Sequence, residues 1–334
     1  MRCILRTETE PYFNLAAEEY VFNNFEDDTF MLWKNDPSVI IGKHQNTFAE
    51  INHEFIEERG IKVVRRISGG GAVYHDHGNL NFTFTSKGDP THLVDFNKYN
   101  LVIVNVISKL GIQVETGPRN SLYINGRKIS GNAEHVYKNK VLHHGTLLFN
   151  SDLNNLEKAI YPANLTYEDK AVKSISSKVI NISNFLQQSL GIDEFADFII
   201  TDILKSDSEA YLYSFSEEDI RQINLLKDEK YTKWEWNYGY SPAFSFSTMF
   251  LTGDQSLQAT ILVKNGIIED IKVDENQSDI AEVIKLIDSL KLVQLRESSI
   301  EEALRDKYST EQLSHIIHSL FVGGTAEQLN KINV

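Results

Sequence analysis

The chain has one cysteine, Cys3, among 334 residues. A single thiol excludes an internal disulfide and fits a reducing, cytoplasmic setting. Apolar runs are short: none approaches the roughly 20 residues that span a bilayer, and the opening MRCILRTETEPYF contains no apolar signal core. The expectation is a soluble cytoplasmic protein with no membrane partner. Positive charge is scarce, with 33 Lys and Arg against 47 Asp and Glu and a formal net charge of −14. That balance excludes a general nucleic-acid binder, which needs a basic footprint, and leaves any anionic substrate to be met by local charge. Several signatures are missing as well. There is no GxxxxGK[ST], no GxGxxG between strand and helix, no HExxH, no CxxC set and no GxSxG elbow. P-loop, dinucleotide-binding, zinc and serine-hydrolase readings lose their support with them. No repeat or low-complexity tract appears, and the length suggests about two domains.

What is present centres on residues 61–85, IKVVRRISGGGAVYHDHGNLNFTFT. A β-branched run at 61–67 is broken by Ser68-Gly69-Gly70-Gly71. From Asn79 to Thr85, Leu80, Phe82 and Phe84 then alternate inward, with polar residues outward. The pattern predicts strand, tight loop, strand. Successive glycines let backbone approach a ligand and turn N–H groups toward an anion. Arg65 and Arg66 upstream add charge, and Ser68 adds a hydroxyl. These residues read as a phosphate or carboxylate cradle, or as a glycine-rich turn with basic neighbours.

In chain order, Phe13, Ala16, Ala17, Tyr20, Val21 and Phe25 recur at helical spacing and predict a helix over 13–25. Strands are expected at 29–33 and 38–41, a polar exit at 42–46, and helices at 53–59 and from Asp95 to Leu110. Asn125-Gly126 predicts a type I′ hairpin joining 121–124 to 127–130, and a second hairpin joins 133–137 to 141–149. The sheet is therefore mixed or antiparallel. Helices are expected at 152–160, 181–190, 193–205 and 216–229, a lysine-bearing loop that orders over ligand at 162–180, and an aromatic segment at 231–246 that closes the first domain. Beyond it, Asn265-Gly266 predicts another hairpin, followed by helices near 278–290, 298–306 and 310–320. The fold class is α+β, with a large domain over 1–249 and a small carboxy-terminal α+β domain over 250–334.

Lys128 sits two residues past the first Asn-Gly turn, where a fixed lysine can serve a reacting carbonyl or phosphate as a point charge. Spacing alone favours an exposed strand lysine. His143 and His144 point to opposite strand faces, so they do not form a metal pair. His75 and His77 share a face but lack the partners of a zinc site.

Taken together, RRISGGGAVYHDHGNLNFTF (65–84), GRKISGNA (126–133), HHGTLLFNSDL (143–153) and WNYGYSPAF (236–244) resemble two-domain bacterial lipoate–protein ligases of the biotin/lipoate ligase superfamily, over essentially the whole chain. The resemblance implies a large mixed-sheet domain of the biotin/lipoate ligase type. It implies a two-step reaction: ATP activates lipoate to lipoyl-adenylate, and the acyl group passes to a lysine of an apo lipoyl domain or of the glycine-cleavage H protein. Carried over, Arg66 and Ser68 with Gly69, Gly70 and Gly71 hold the carboxyl and phosphate end. Ala72, Val73 and Tyr74 line the adenylate and acyl pocket, and Asn79 is counted with them among the binding residues. Lys128 contacts the carboxyl and then the acyl phosphate, and His144, Gly145 and Thr146 border the site. Mg2+ is expected with ATP, with no ligands assigned. The acceptor domains are the partners, and a monomer is the expected state. One departure stands out. Family members carry Asp after the Arg-Asn pair, whereas Arg119-Asn120 is followed by Ser121 here. That position is associated with the metal–nucleotide site, so the alternative is a transfer-only lipoyl or octanoyl transferase using a preformed activated donor.

Overall fold

The computed structural model describes residues 1–88, 94–160, 165–252, 255–273 and 280–323. The chain forms two compact units. The first comprises Met1–Lys43, Lys62–Glu157 and Ser174–Lys233, and the second comprises His44–Ile61, Lys158–Lys173 and Trp234–Val334.

The first unit is built on a six-stranded sheet in the order Asn132–Tyr137, Lys140–Leu148, Asn79–Lys87, Thr29–Trp33, Arg2–Leu5, Tyr211–Leu212. The first four strands pair antiparallel with one another, and Arg2–Leu5 pairs in parallel with both Thr29–Trp33 and Tyr211–Leu212, so the sheet is mixed as expected. Helices Phe96–Ser108 and Ile192–Ser206 bury Ile103, Ile107, Phe195 and Ile199 with Phe82 and Phe84 of the sheet. The alternation along Asn79–Lys87 does set Leu80, Phe82 and Phe84 into this core. However, Asn79, Asn81, Thr83 and Thr85 are buried too, so the polar half of the pattern does not face water. Helix Pro11–Asn24, capped by the Glu10 carboxylate, brings Glu18 against Thr83 on that polar face.

A smaller sheet has Ser38–Ile41 at its centre, parallel to Lys62–Arg65 and antiparallel to Val73–His75. Its last two strands are the flanks of the glycine loop. The second flank is thus the short strand Val73–His75, whereas Asn79–Lys87 belongs to the large sheet. A third sheet carries the predicted hairpin, Leu122–Ile124 and Arg127–Ser130, turned by Asn125 (φ 49°) and Gly126 (φ 71°).

One expected helix is absent. Over 181–190 the chain makes only a single 3-10 turn, Ile182–Phe185. The Ser183 N–H goes to the Phe149 carbonyl, and the Asn181 side chain brackets Ser151 with bonds of 3.0 and 2.9 Å. Tertiary partners take the groups that a helix would use.

The second unit holds a four-stranded sheet, Tyr167–Asp169, Phe244–Thr252, Gln255–Lys264 and Ile267–Val273, with the predicted Asn265-Gly266 turn. Helices Ile280–Leu290, Glu297–Leu304 and Thr310–Phe321 pack on it around Phe250, Ile261, Leu290 and Leu320. No described helix is long and apolar enough to cross a membrane.

Candidate functional site

The glycine loop is shaped by the two arginines that precede it. Arg66 is buried, and its guanidinium serves the loop itself. Nε donates to Ser68 Oγ at 3.0 Å, Nη1 to the Ile40 carbonyl at 3.1 Å, and Nη2 to the carbonyls of Gly69 and Gly71 at 2.6 and 2.8 Å. Arg65 is fully buried, with Nη1 on the carbonyls of Gly42 and Lys43. The strand residues therefore lace the loop to the end of Ser38–Ile41, where Lys43 N–H also reaches the Ser68 carbonyl at 2.8 Å. Gly42 is required there, because a Cβ would overlap the Gly70 carbonyl. Burial pulls the Arg66 guanidinium down to about 10, and the Glu18 carboxylate opposes that shift.

On the polar face of the large sheet runs a line of short hydrogen bonds. Ser68 Oγ lies 2.6 Å from His144 Nε2, and His144 Nδ1 lies 2.8 Å from Glu18 Oε1. Thr83 donates to the same Glu18 oxygen at 2.7 Å and accepts from Trp33 Nε1 at 3.0 Å. His75 lies on this face as well. Asn35 and Asn81 donate to its Nδ1 at 3.1 and 3.4 Å, so the neutral ring carries its proton on Nε2, which is buried with no partner. Burial, followed by the charges of Arg66 and His144, holds His75 down to about 3.

The hairpin brings Lys128 to the other side of the loop. Its ammonium makes no hydrogen bond or ion pair among the described residues. Burial lowers its pKa, and the positive charges of Arg119 and Arg66 lower it further. A lysine disfavoured by burial and by two cations, with no compensating carboxylate, is a group prepared for an anion. The chain around it is tied in place. Lys128 exchanges backbone bonds with Lys178 and Ile180, and Gly131 N–H reaches Thr146 Oγ1 at 3.2 Å. A Cβ on Gly70 would come within 3.9 Å of Ala133, whose strand partner is His144, so the loop, hairpin and His144 converge. Ser174 closes over the loop, with Oγ accepting from Ala72 N–H at 2.8 Å.

The predicted residues thus fall into place unevenly. Arg66, Ser68, the three glycines, Ala72 and His144 gather around the loop, with Lys128 on the neighbouring hairpin and Thr146 bonded to Gly131 at the hairpin's end. Val73 and Tyr74 continue from the loop in the strand Val73–His75, and Asn79 is joined to His75 through Asn81. Gly145 faces the opposite side from His144, where a Cβ would overlap Asn132 Oδ1. Glu18, Thr83, Trp33 and His75 were not singled out as site residues. Glu18 had a signal: it is a carboxylate on the buried stripe of its helix, between Leu15 and Phe22.

Comparison with known proteins adds to this geometry. A sequence model described as the lipoyl protein ligase A/B catalytic domain matches residues 10–204. The lipoate-protein ligase LplJ of Bacillus subtilis (strain 168) is 38% identical over 299 residues, 88% of this chain and 90% of that protein. Lipoate–protein ligase 1 of Staphylococcus aureus (strain Mu50) is 39% identical over 300 residues, 89% of this chain and 91% of that one. Among solved structures, a bi-partite lipoate protein ligase of Thermoplasma acidophilum, described with its E2 lipoyl domain, superposes with a TM-score of 0.61 at 27% identity, over 72% of this chain and 96% of that chain. P. falciparum LipL1 in complex with lipoate gives 0.59 at 28% identity, over 95% and 98%. Lipoate-protein ligase A bound with ATP gives 0.60 at 26% identity, over 72% and 98%.

Proposed function

The chain belongs to the lipoyl protein ligase A/B family and is a lipoate–protein ligase, and we propose how its site carries the reaction. Lipoate is activated by ATP to lipoyl-adenylate, releasing pyrophosphate. The acyl group then passes to a lysine of an apo lipoyl domain of a 2-oxoacid dehydrogenase complex, or of the glycine-cleavage H protein. The observation that carries this reading is the Lys128 ammonium, without a partner among the described residues and held beside a glycine loop within the fields of Arg66 and Arg119. The first step brings a carboxylate and an α-phosphate together, and fixed cations with backbone N–H groups offset that repulsion.

Lys128 takes the carboxylate and afterwards the acyl phosphate. Ser68 and Gly69 to Gly71 shape the carboxyl and phosphate end. Arg66 acts there through its field and by holding the loop, since its N–H groups serve loop carbonyls. Ala72, Val73, Tyr74 and Asn79 line the acyl and adenylate side, and His144, Gly145 and Thr146 border it. The catalytic domain spans 1–249 and the accessory domain 250–334. The relatives' names and the ATP-bound structure favour this complete ligase over a transfer-only enzyme.

Among the described residues, no three His, Cys, Asp or Glu side chains come together as a metal site. Buried Ser121 adds no carboxylate where an Asp was expected. In this reading Mg2+ accompanies the phosphates of ATP, and no step here is routed through it. The enzyme works as a cytoplasmic monomer, a setting that its single buried thiol supports.

The test is intact-mass analysis of an apo H protein and an apo lipoyl domain incubated with the enzyme. One arm contains lipoate and Mg-ATP, and the other contains only preformed lipoyl-adenylate. Modification in both arms is expected. Modification with adenylate alone would make the enzyme a transferase, and modification in neither arm would refute the reading.

A further inference from the structure

The line from Trp33 to Arg66 has its directions fixed at both ends by donor chemistry. Trp33 Nε1–H can only donate, so Thr83 accepts from it at 3.0 Å and passes its own hydroxyl proton toward Glu18 Oε1 at 2.7 Å. At the other end Arg66 Nε–H, also donor only, reaches Ser68 Oγ at 3.0 Å. With a single ring proton on His144 Nδ1, shared with the Glu18 carboxylate at 2.8 Å, Nε2 accepts from the Ser68 hydroxyl at 2.6 Å. Ser68 has then committed its proton to His144 and one lone pair to Arg66. What it can still offer is a lone pair, and a group in that state receives an N–H. In the ligase reading, on which this inference rests, the N–H-bearing reactant is the acceptor lysine, which must lose a proton.

We propose that Ser68 receives that proton and passes it to His144, whose imidazolium is held by Glu18. The amine nitrogen attacks the acyl carbon of the adenylate. A C–N bond forms, the bond from the acyl carbon to the phosphate oxygen breaks, and its electron pair leaves with AMP. One N–H proton moves to Ser68 Oγ as the Ser68 hydroxyl proton moves to His144 Nε2, and solvent later receives it from His144. Ser68 touches the reactant; His144 and Glu18 act through it as positioning residues.

Two further features bear on it. A Cβ on Gly69 would meet nothing within 4 Å, so open space lies at the residue after Ser68, whose own side chain is buried. Glu18 is also the carboxylate whose charge acts on Arg66. A proton added to His144 is therefore the uncompensated charge of the cluster, and the departing phosphate offsets it. The titratable and charged groups acting on His144 are Glu18 from Pro11–Asn24, Arg66 through Ser68, His75 from Val73–His75, His135 on the adjoining strand Asn132–Tyr137 and His143 beside it on its own strand.

The test compares two half-reactions in the native protein, Glu18→Gln, His144→Gln and Ser68→Ala. One is single-turnover transfer from preformed lipoyl-adenylate to an apo lipoyl domain; the other is adenylate formation from lipoate and ATP without acceptor. In each variant transfer should fall on the order of 10²-fold, at least tenfold more than adenylation does. The logarithm of the native transfer rate should rise with pH with a slope of about two and bend to about one, because amine and base must both be deprotonated. The three variants should show a slope of about one throughout. Equal losses in the two half-reactions, native transfer by Ser68→Ala, or a native bend in His144→Gln would overturn the proposal. If the native protein makes no adenylate and modifies no acceptor, the ligase reading itself has failed, and this proposal falls with it.

Discussion

Lys128 and His75 illustrate opposite uses of burial. Burial and two neighbouring cations disfavour the charged form of Lys128, yet the side chain keeps no carboxylate partner among the described residues. Its folded-state pKa is depressed, so at neutral pH the charged folded state is penalised relative to the unfolded one. Lys128→Met should therefore raise the melting temperature by about 2 °C or more while reducing lipoylation on the order of 10²-fold. Thermal denaturation and acceptor mass spectra would check the pair, and a lower melting temperature would contradict the anion-site reading. His75 is held neutral, with a pKa lowered to about 3 from an ordinary 6.5. Between those values the unfolded state binds the extra proton, so stability rises with pH there and is lost as pH falls from 6.5 toward 3. The drop in melting temperature between pH 7 and pH 4.5 should accordingly be smaller in His75→Gln than in the native protein.

At the scale of elements, the loop is a junction of three strands. Its conformation depends on Gly42 as much as on its own glycines, because the Gly70 carbonyl occupies the space of a Gly42 side chain. Gly42→Ala should displace the loop, lower the melting temperature and cut adenylate formation by about tenfold or more. Adenylate formation at the native rate would show that the loop is not held as described. The hairpins and capped helices were legible because their signals are local: Asn-Gly turns and apolar spacing do not depend on distant partners. The helix expected at 181–190 failed because Asn181 and Ser183 bond to Ser151 and Phe149, contacts that no local window contains.

For the whole molecule, the chain is acidic, and the proposed reading has it meet anions at the cationic neighbourhood of Lys128, Arg66 and Arg119. The lone thiol belongs to this scale too. Cys3 is buried in the core of the first unit, and burial raises its pKa. Native protein should show essentially no reaction with an aromatic disulfide reagent at pH 8, and about one thiol per chain after denaturation. Rapid native labelling would mean that the strand Arg2–Leu5 opens.

Read alone, the amino-acid order determined the mixed-sheet α+β class, the two Asn-Gly hairpins and the glycine loop with its flanking arginines. These follow from turn chemistry, periodicity and contiguous motifs. The tertiary structure decided what each side chain faces. It turned Arg66 inward to the loop carbonyls, buried the polar half of Asn79–Lys87, and set Glu18 against His144, 126 residues away along the chain. Such pairings are made by packing a helix on a sheet face. Their donors and acceptors are chosen by burial, which leaves no trace in local order beyond a carboxylate standing where an apolar residue was expected.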